Sequence, residues 1–267
     1  MENVITLQKV CRQYKIFEKK EGIKNSFKDF FVRKYSVKNA VLDLDLVVNK
    51  GEIIGLLGKN GAGKTTTLKL LTGILYPSSG ELSVMGYKPF ERNKKFLKKI
   101  CFVMGNRSDV NWDLPAIDSF RYQQLLYDIS DEEFEKNLNY LIKILNVSDL
   151  LNVQIRRLSL GERMKMELIN NFIYSPEVIF LDEPTIGLDL ESQIAIRDFI
   201  KTYAKEKKAT VIVTSHYMDD IEEICERIVV LDEGKKIIDC RIEDILEENS
   251  SFKDAIYKIM ATKSEEA

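Results

Sequence analysis

A glycine-rich stretch, residues 58–65, holds the residue types that bind phosphate. It reads Gly-Lys-Asn-Gly-Ala-Gly-Lys-Thr and matches the pattern G-x-x-x-x-G-K-[ST]. The glycines allow backbone N–H groups to point at phosphate oxygens, the lysine adds a cation, and the threonine hydroxyl can hold Mg²⁺. A strand pattern precedes the stretch and a helix pattern follows, which disfavours a plain glycine-rich turn. We expect Thr65 to hold Mg²⁺ and the phosphates to be bound by Gly58, Asn60, Gly61, Ala62, Gly63, Lys64, Thr65 and Thr66.

Two carboxylates follow an apolar run at residues 178–181. They are Asp182 and Glu183, and Pro184 comes next. Ligand groups of open α/β sheets collect at the carboxyl ends of strands. Asp182 is therefore placed to hold Mg²⁺, and Glu183 is placed to orient or deprotonate an attacking water. An ordinary strand end is the alternative, and the phosphate-binding pattern upstream favours the hydrolytic interpretation.

Length and composition limit the possible classes of protein. The chain has 267 residues, 45% of them hydrophobic, and a net charge of −2, which predicts no general attraction to nucleic acid. No apolar run approaches the roughly 18 residues that cross a bilayer, and residues 1–10 lack the core of a signal peptide. The four cysteines form no C-x-x-C pair, which disfavours a zinc site. We expect a soluble, cytoplasmic protein whose membrane role, if any, needs a partner.

Strand and helix patterns alternate along much of the chain, and this favours a mostly parallel sheet in an α/β fold. The longest departure is a helix-rich region between two predicted strands, which we interpret as an inserted helical subdomain at 108–176 of a single domain, 1–267. The predicted strands are 4–10, 41–48, 52–57, 81–85, 178–181 and 210–214, with a turn at 77–80 and a hairpin at 228–231 and 236–239. The predicted helices are 64–74, 117–127, 131–145, 159–174, one centred on 196–203, and 241–262.

Residues 158–162, Leu-Ser-Leu-Gly-Glu, carry a resemblance to a family. They resemble the signature motif of ABC ATPases, although that motif commonly has Gly at Leu160 and Gln at Glu162. The resemblance covers nearly the whole chain and implies a P-loop fold with a RecA-like core, an antiparallel β subdomain and an inserted α-helical subdomain. It implies that Ser159 and Gly161 contact the γ-phosphate of ATP held by a second protomer. A plain capping box at a helix start is the alternative.

The same resemblance implies roles for four further residues. Asp189 matches the loop that follows the catalytic glutamate, and His216, the only histidine, matches the switch histidine that contacts the γ-phosphate. Tyr14 resembles the aromatic residue that stacks on adenine, with Tyr35 as second choice and a structural tyrosine as the alternative. Asn106 stands where a glutamine usually contacts Mg²⁺ or water. The implied catalytic residues are Glu183, His216 and Lys64, and the implied metal ligands are Thr65, Asp182 and Asn106.

An insert at 15–38 separates the first predicted strand from the second. It holds eight Lys or Arg and three Asp or Glu, with aromatic residues between them. A solvated amphipathic helix is one interpretation, and a contact with anionic lipid or a permease is the other. Together with residues 111–115, Asn-Trp-Asp-Leu-Pro, the insert resembles a bacterial subgroup of exporter ATPases that work with ABC-2-type permeases.

The resemblance implies an ATP-hydrolysing subunit of a transporter, with ATP and Mg²⁺ as ligands. It implies a dimer of cassettes, identical or different, and a location at the inner face of the cell membrane through a bound permease. Export rather than import rests on the resemblance alone. A soluble ABC ATPase of the cofactor-assembly type is the alternative function. A P-loop kinase or GTPase would leave the signature motif and His216 unexplained.

Overall fold

The computed structural model describes residues 2–17, 35–105, 107–248, 251–256 and 258. Two sheets dominate the described chain, and helices cover the larger one. The larger sheet has six strands in the order β5-β6-β7-β3-β8-β9. Its members are β3 (Ile53–Leu57), β5 (Ile100–Met104), β6 (Val178–Asp182), β7 (Thr210–Thr214), β8 (Arg227–Asp232) and β9 (Lys235–Arg241). All neighbouring strands in it are parallel except β8 and β9, which form a hairpin.

The smaller sheet is antiparallel and has the order β2-β1-β4. Its strands are β1 (Asn3–Phe17), β2 (Tyr35–Asn49) and β4 (Ser79–Val84). Alternating side chains of these strands, such as Leu44, Leu46 and Val48, are buried, as a sheet with one covered face requires. This arrangement and the six-stranded sheet confirm the predicted fold class.

The helices connect the strands of the larger sheet. α1 (Lys64–Leu71) follows β3, α2 (Lys94–Leu97) precedes β5, and α6 (Leu190–Lys207) joins β6 to β7. Between β5 and β6 lie α3 (Ala116–Tyr127), α4 (Asp131–Leu145) and α5 (Leu160–Phe172). The remaining helices are α7 (Met218–Ile224), α8 (Ile242–Glu248) and short 3₁₀ turns at Pro89–Glu91, Ser148–Leu150 and Ile155–Arg157. None of the helices in the described ranges combines the length and the apolar character that crossing a bilayer requires.

The larger sheet separates two hydrophobic cores. On β6, Ile179 and Leu181 face the core shared with α3 to α7, whereas Val178 and Phe180 face the core shared with α1 and the smaller sheet. Side chains of a strand alternate between its two faces, so a strand covered on both sides is apolar throughout. The continuous apolar runs at β3, β6 and β7 follow from this double covering.

Several sequence predictions need correction. The insert at 15–38 is not helical at its ends, because 15–17 pair with 35–37 as the continuation of β1 and β2. Residues 18–34 lie outside the described residues. The turn expected at 77–80 ends earlier, since Ser79 and Gly80 already belong to β4. The helix expected over 241–262 begins after β9 and is interrupted at Ser251, whose hydroxyl accepts a hydrogen bond from the N–H of Asp254 (3.3 Å) and so starts a new helical turn.

Candidate functional site

The phosphate-loop pattern lies between β3 and α1, where the sequence predicts it. Gly63 precedes α1 with φ of 109°, in the left-handed region that glycine adopts without strain. A Cβ atom there would lie 2.3 Å from the carbonyl oxygen of Ala40. The loop is also held by the β8–β9 hairpin, since the N–H of Gly234 donates to the carbonyl of Ala62 (3.1 Å). These contacts fix the loop backbone against β2 and the hairpin.

The Lys64 side chain curls back over this loop. Its ammonium group donates to the carbonyl oxygens of Gly58 (2.6 Å) and Lys59 (3.2 Å). Burial lowers the pKa of Lys64 below its ordinary value, while the charges of Glu183 and Asp182 act in the opposite direction. A phosphate group bound at the loop can replace the two carbonyl oxygens as acceptor of the Lys64 ammonium group. It would place a full negative charge beside the ammonium group.

Asp182, at the carboxyl end of β6, accepts hydrogen bonds from two hydroxyl groups. Thr65 donates to its Oδ2 (2.8 Å), and Thr214, at the end of the neighbouring β7, donates to its Oδ1 (2.7 Å). A carboxylate and a threonine hydroxyl side by side are hard oxygen ligands, which suit Mg²⁺. No group of three or more His, Cys, Asp or Glu side chains in the described part of the chain is arranged to hold a metal. Magnesium at Thr65 and Asp182 would therefore take its other ligands from phosphate oxygens and water.

Glu183 and His216 meet at the same edge of the sheet. The Nε2 atom of His216 lies 2.7 Å from Oε1 of Glu183, and both side chains are partly exposed. Glu183 has φ of 55°, which is uncommon for a residue other than glycine. Its backbone N–H donates to the carbonyl of Thr214 (3.1 Å), and this bond stabilises the unusual conformation. The chain thus leaves β6 with the carboxylate of Glu183 turned toward His216.

A cavity of about 250 Å³ opens above the phosphate loop. Tyr14 and Glu183 line it from opposite elements, β1 and the end of β6. The guanidinium of Arg12 lies 4.7 Å from the centre of the Tyr14 ring. The side chain of Tyr35, the second choice for adenine stacking, lies outside the described residues. The other lining residues are Lys38, Ala40, Asn60, Gly61, Gly63, Lys64, Thr65 and Thr66.

The signature-like segment starts α5 and is not among the described residues that line this cavity. Ser159 and Glu162 form the predicted capping box: the Ser159 hydroxyl accepts from the Glu162 N–H (3.2 Å), and the Glu162 carboxylate accepts from the Ser159 N–H (2.8 Å). A Cβ atom at Gly161 would lie 1.9 Å from Oγ of Ser192. Glycine therefore lets the start of α5 touch the start of α6, where Asp189 caps the helix by accepting from the Ser192 N–H (2.9 Å).

The segment after β5 is anchored to α5. Asn106, the expected counterpart of the usual glutamine, lies outside the described residues. The buried carboxylate of Glu167 accepts hydrogen bonds from the Ser108 hydroxyl and from the N–H groups of Asp109 (3.0 Å) and Val110 (3.3 Å). Burial raises the pKa of Glu167 despite these bonds. Further along, the half-exposed ring of Trp112 lies 4.9 Å from the guanidinium of Arg163 on α5.

Two residues of this region were missed by sequence reasoning. Thr214 ends β7 in register with Asp182, and its polar side chain at a strand end was a usable signal. Glu167 is a carboxylate among the apolar residues of α5, and its position in the helix pattern could also have marked it. The structure brings together the phosphate loop, Asp182, Glu183, His216 and Tyr14, whereas Ser159, Gly161 and Asp189 form a separate group.

This chain is similar to known proteins in sequence and in fold. The family model described as "ABC transporter" matches residues 41–186. The ABC transporter ATP-binding protein NatA of Bacillus subtilis is 31% identical over 221 residues, which cover 83% of this chain and 89% of that protein. Nod factor export ATP-binding protein I of Cupriavidus pinatubonensis is 32% identical over 215 residues, 80% of this chain and 66% of that protein. A solved ATP-binding subunit of an ABC transporter shares the fold, with a TM-score of 0.77 at 22% identity over 96% of this chain and 99% of that one.

The matched region contains the phosphate loop, both carboxylates of β6 and the capped start of α5. ATP-binding subunits of this family work with a membrane permease and form dimers. The predicted family, its ATP ligand and its ATPase activity are confirmed. This chain belongs to the ABC transporter family, as one of its ATP-binding and ATP-hydrolysing subunits.

Proposed function

We propose that this subunit powers an exporter by hydrolysing Mg-ATP at the edge where β3, β6 and β7 end. One observation carries the proposal: the Thr65–Asp182 pair and the Glu183–His216 pair lie beside the same phosphate loop. A hydroxyl–carboxylate pair suits magnesium, and a carboxylate next to an imidazole suits the handling of a water molecule. Both are needed at one place for hydrolysis of a γ-phosphate.

The phosphates of ATP lie along residues 58–65, where Lys64 exchanges its loop carbonyls for β- and γ-phosphate oxygens. Thr65 and Asp182 would hold Mg²⁺, which would supply positive charge opposite the phosphates. Glu183 orients the attacking water and accepts its proton, because its carboxylate is turned toward the cavity. His216 lies against that carboxylate through Nε2, and this N–H donates to the γ-phosphate instead when nucleotide is present. Tyr14 lines the cavity from β1 and supplies a ring surface for adenine.

We place the second half of the site on another subunit. Ser159 and Gly161 lie at the N-terminus of α5, where the helix dipole and free N–H groups favour an anion. Asp189 lies against this helix start through Ser192. Each ATP then lies between the phosphate loop of one cassette and the α5 start of the other, in a homodimer or a heterodimer. The γ-phosphate bridges the halves, and hydrolysis removes the bridge.

The permease contact is proposed for the segment around Trp112, together with Asn106 before it. Trp112 is 50% exposed, and the helix α3 that follows this segment carries two exposed leucines, Leu125 and Leu126. Glu167 connects this segment to α5 by hydrogen bonds, so that a displacement of the segment would also move the start of α5. The resemblance to partners of ABC-2-type permeases and the exporter named among the relatives favour export. The subunit would then act at the cytoplasmic face of the membrane through its permease.

The Glu183→Gln substitution tests the chemical part of this proposal. Glutamine keeps the size of the side chain but cannot accept the proton of water, so turnover should fall about a thousandfold while ATP still binds. Glu177→Gln is the matched control, because Glu177 precedes the opposite end of β6 and pairs with Lys99 (2.7 Å). Phosphate release and ATP titration are measured for both variants. Near-normal turnover of the Glu183 variant would refute its role.

A further inference from the structure

A buried carboxylate behind the Glu183–His216 pair connects the chain segments that carry both residues. Asp220 lies on α7 and is 1% exposed. Its Oδ2 atom accepts hydrogen bonds from the Ser215 hydroxyl (2.6 Å) and from the Thr185 hydroxyl. Ser215 adjoins His216, and Thr185 is the second residue after Glu183. One oxygen atom therefore binds both segments.

The bond to Ser215 also fixes the backbone around His216. The Ser215 hydroxyl donates to Asp220 and accepts from the N–H of Tyr217 (3.0 Å). Residues on both sides of His216 are thus bound to one hydroxyl group, as in a turn closed by a serine side chain. The imidazole is partly exposed, whereas Ser215 beneath it is buried. The position of the ring follows from the position of this turn.

The other oxygen of Asp220 is held by a buried arginine on α6. The Nε atom of Arg197 donates to Oδ1 (2.8 Å), and its Nη2 atom donates to the Gln193 side chain (3.2 Å). Gln193 in turn donates to the carbonyl of Leu188 (3.0 Å), which adjoins Asp189. Arg197 has a second carboxylate partner, the half-exposed Glu223 (2.9 Å). The chain of bonds runs from the His216 turn to the loop before α6.

A contribution to stability does not by itself explain this buried ion pair. Buried ion pairs are often no more stabilising than apolar residues of the same size, because desolvation offsets the attraction. Burial disfavours the charged Arg197, yet the hydrogen bond that it donates to Glu223 and the charge of Asp220 outweigh burial and raise the pKa of the arginine. Arg197 therefore keeps its positive charge, and its hydrogen bond to Oδ1 of Asp220 is charge-assisted.

We propose that Asp220 is a positioning residue that fixes His216 relative to Glu183, and that Arg197 holds Asp220 in place. The proposal rests on the roles given above to Glu183 and His216. Reacting groups lose about a hundredfold in rate when misplaced by about 1 Å. Loosening the two segments should therefore slow hydrolysis without weakening the phosphate loop, which Asp220 does not contact.

The test compares four variants of the full-length chain, measuring turnover, ATP affinity and melting temperature. Asp220→Asn removes the charge from the network, and Ser215→Ala removes one of its hydroxyls. Asp239→Asn is the matched control, since Asp239 also accepts from an arginine Nε atom, that of Arg227 (2.7 Å), but on β9. Glu183→Gln shows independently that the carboxylate acts in hydrolysis.

We expect Asp220→Asn to lower kcat at least about tenfold, with ATP affinity within about twofold of the unsubstituted chain. Ser215→Ala should also lower kcat without changing ATP affinity, although by a smaller factor. Asp239→Asn should change neither kcat nor ATP affinity. His216 is the only histidine, so its Hε1 proton gives one histidine NMR signal that needs no further assignment. That signal should shift in the Asp220 and Ser215 variants and stay unchanged in the Asp239 variant.

The proposal is overturned if Asp220→Asn keeps its turnover, or if kcat and affinity fall together with an unmoved His216 signal. Should the Asp220 variant not fold, the Ser215 variant decides: normal turnover and an unmoved histidine signal there reject the proposal. If Glu183→Gln is active, the roles proposed for the reacting residues fail first. If only the Asp220 and Ser215 variants are normal, those roles stand and the positioning role fails.

Discussion

Two regions of this chain are suited to phosphate, and they are built in opposite ways. The phosphate loop is fixed by contacts on several sides, and Gly63 has no room for a side chain against Ala40. The start of α5 lies at the surface, with Ser159 exposed and its polar groups satisfied by Glu162. The backbone of the first region is fixed by packing within one chain, whereas the second region is an exposed helix start that is closed by its own capping box.

This difference has an energetic consequence. A preformed loop loses little conformational entropy when phosphate binds, so it can hold ATP tightly in a single subunit. At the α5 start, a phosphate must compete with a capping box that stabilises the helix by about 1 kcal/mol. In the arrangement proposed above, the partner's phosphate would therefore bind more weakly at the α5 start than at the loop, as expected of a dimer that opens after hydrolysis.

Among the substitutions that test this comparison, Asp182→Asn in the phosphate-loop region should have the largest effect. Asp182→Asn neutralises the group that accepts from Thr65 and Thr214 and would hold Mg²⁺. Turnover should fall at least about a hundredfold, and half-maximal activity should need more Mg²⁺. Phosphate release across a magnesium series measures both. Asp239→Asn, with its arginine partner on β8, should keep turnover within about twofold.

An unchanged magnesium requirement in the Asp182 variant would show that the metal does not bind at Asp182. The hydroxyl–carboxylate pair would then be a structural bond between α1 and β6. The comparison of the two regions would lose the part that depends on metal chemistry.

A smaller effect should separate the functions of two helix caps. Ser159 caps α5 and Ser130 caps α4, each accepting from an N–H at 3.2 Å. Replacing either serine by alanine should lower the free energy of unfolding by about 1 kcal/mol. Only Ser159→Ala should also lower turnover, by about tenfold, because a donor to the partner's phosphate is lost. Chemical denaturation and phosphate release measure the two quantities.

Equal turnover in the two serine variants would show that the capping box is no more than a helix cap. The signature role given to Ser159 would then be wrong, whatever the stability results. A loss of turnover in both variants in proportion to their stability would lead to the same conclusion.

Much of the fold could be predicted from local patterns. The runs at β6 and β7 are apolar throughout because both of their faces are covered. Such continuous apolar runs can be recognised as buried strands from the sequence. The strand β5 was missed, although its residues, such as Ile100 and Val103, are buried and apolar. The helix expected at the insert failed at its ends because pairing between β1 and β2 decides their conformation, and local sequence does not report that pairing.

The candidate site divides in the same way. The phosphate loop and the β6 carboxylates follow from residue type and spacing, since each motif is short and continuous. The contact of Glu183 with His216 depends on the order of β6 and β7 in the sheet and was not predicted, since the resemblance implied only a γ-phosphate contact for His216. The Asp220 network escaped notice, because its hydroxyl partners Thr185 and Ser215 are common residues at no fixed spacing.

The central claim is that the loop between β3 and α1 binds the phosphates of ATP through Lys64. Calorimetric titration of purified chain with Mg-ATP tests it, with Lys64→Ala as the variant and Lys69→Ala, on the same helix, as the control. We predict saturable binding to the unsubstituted chain and the Lys69 variant, and affinity at least about tenfold weaker for the Lys64 variant. Absence of binding to the unsubstituted chain, or equal affinity of all three proteins, would contradict the account.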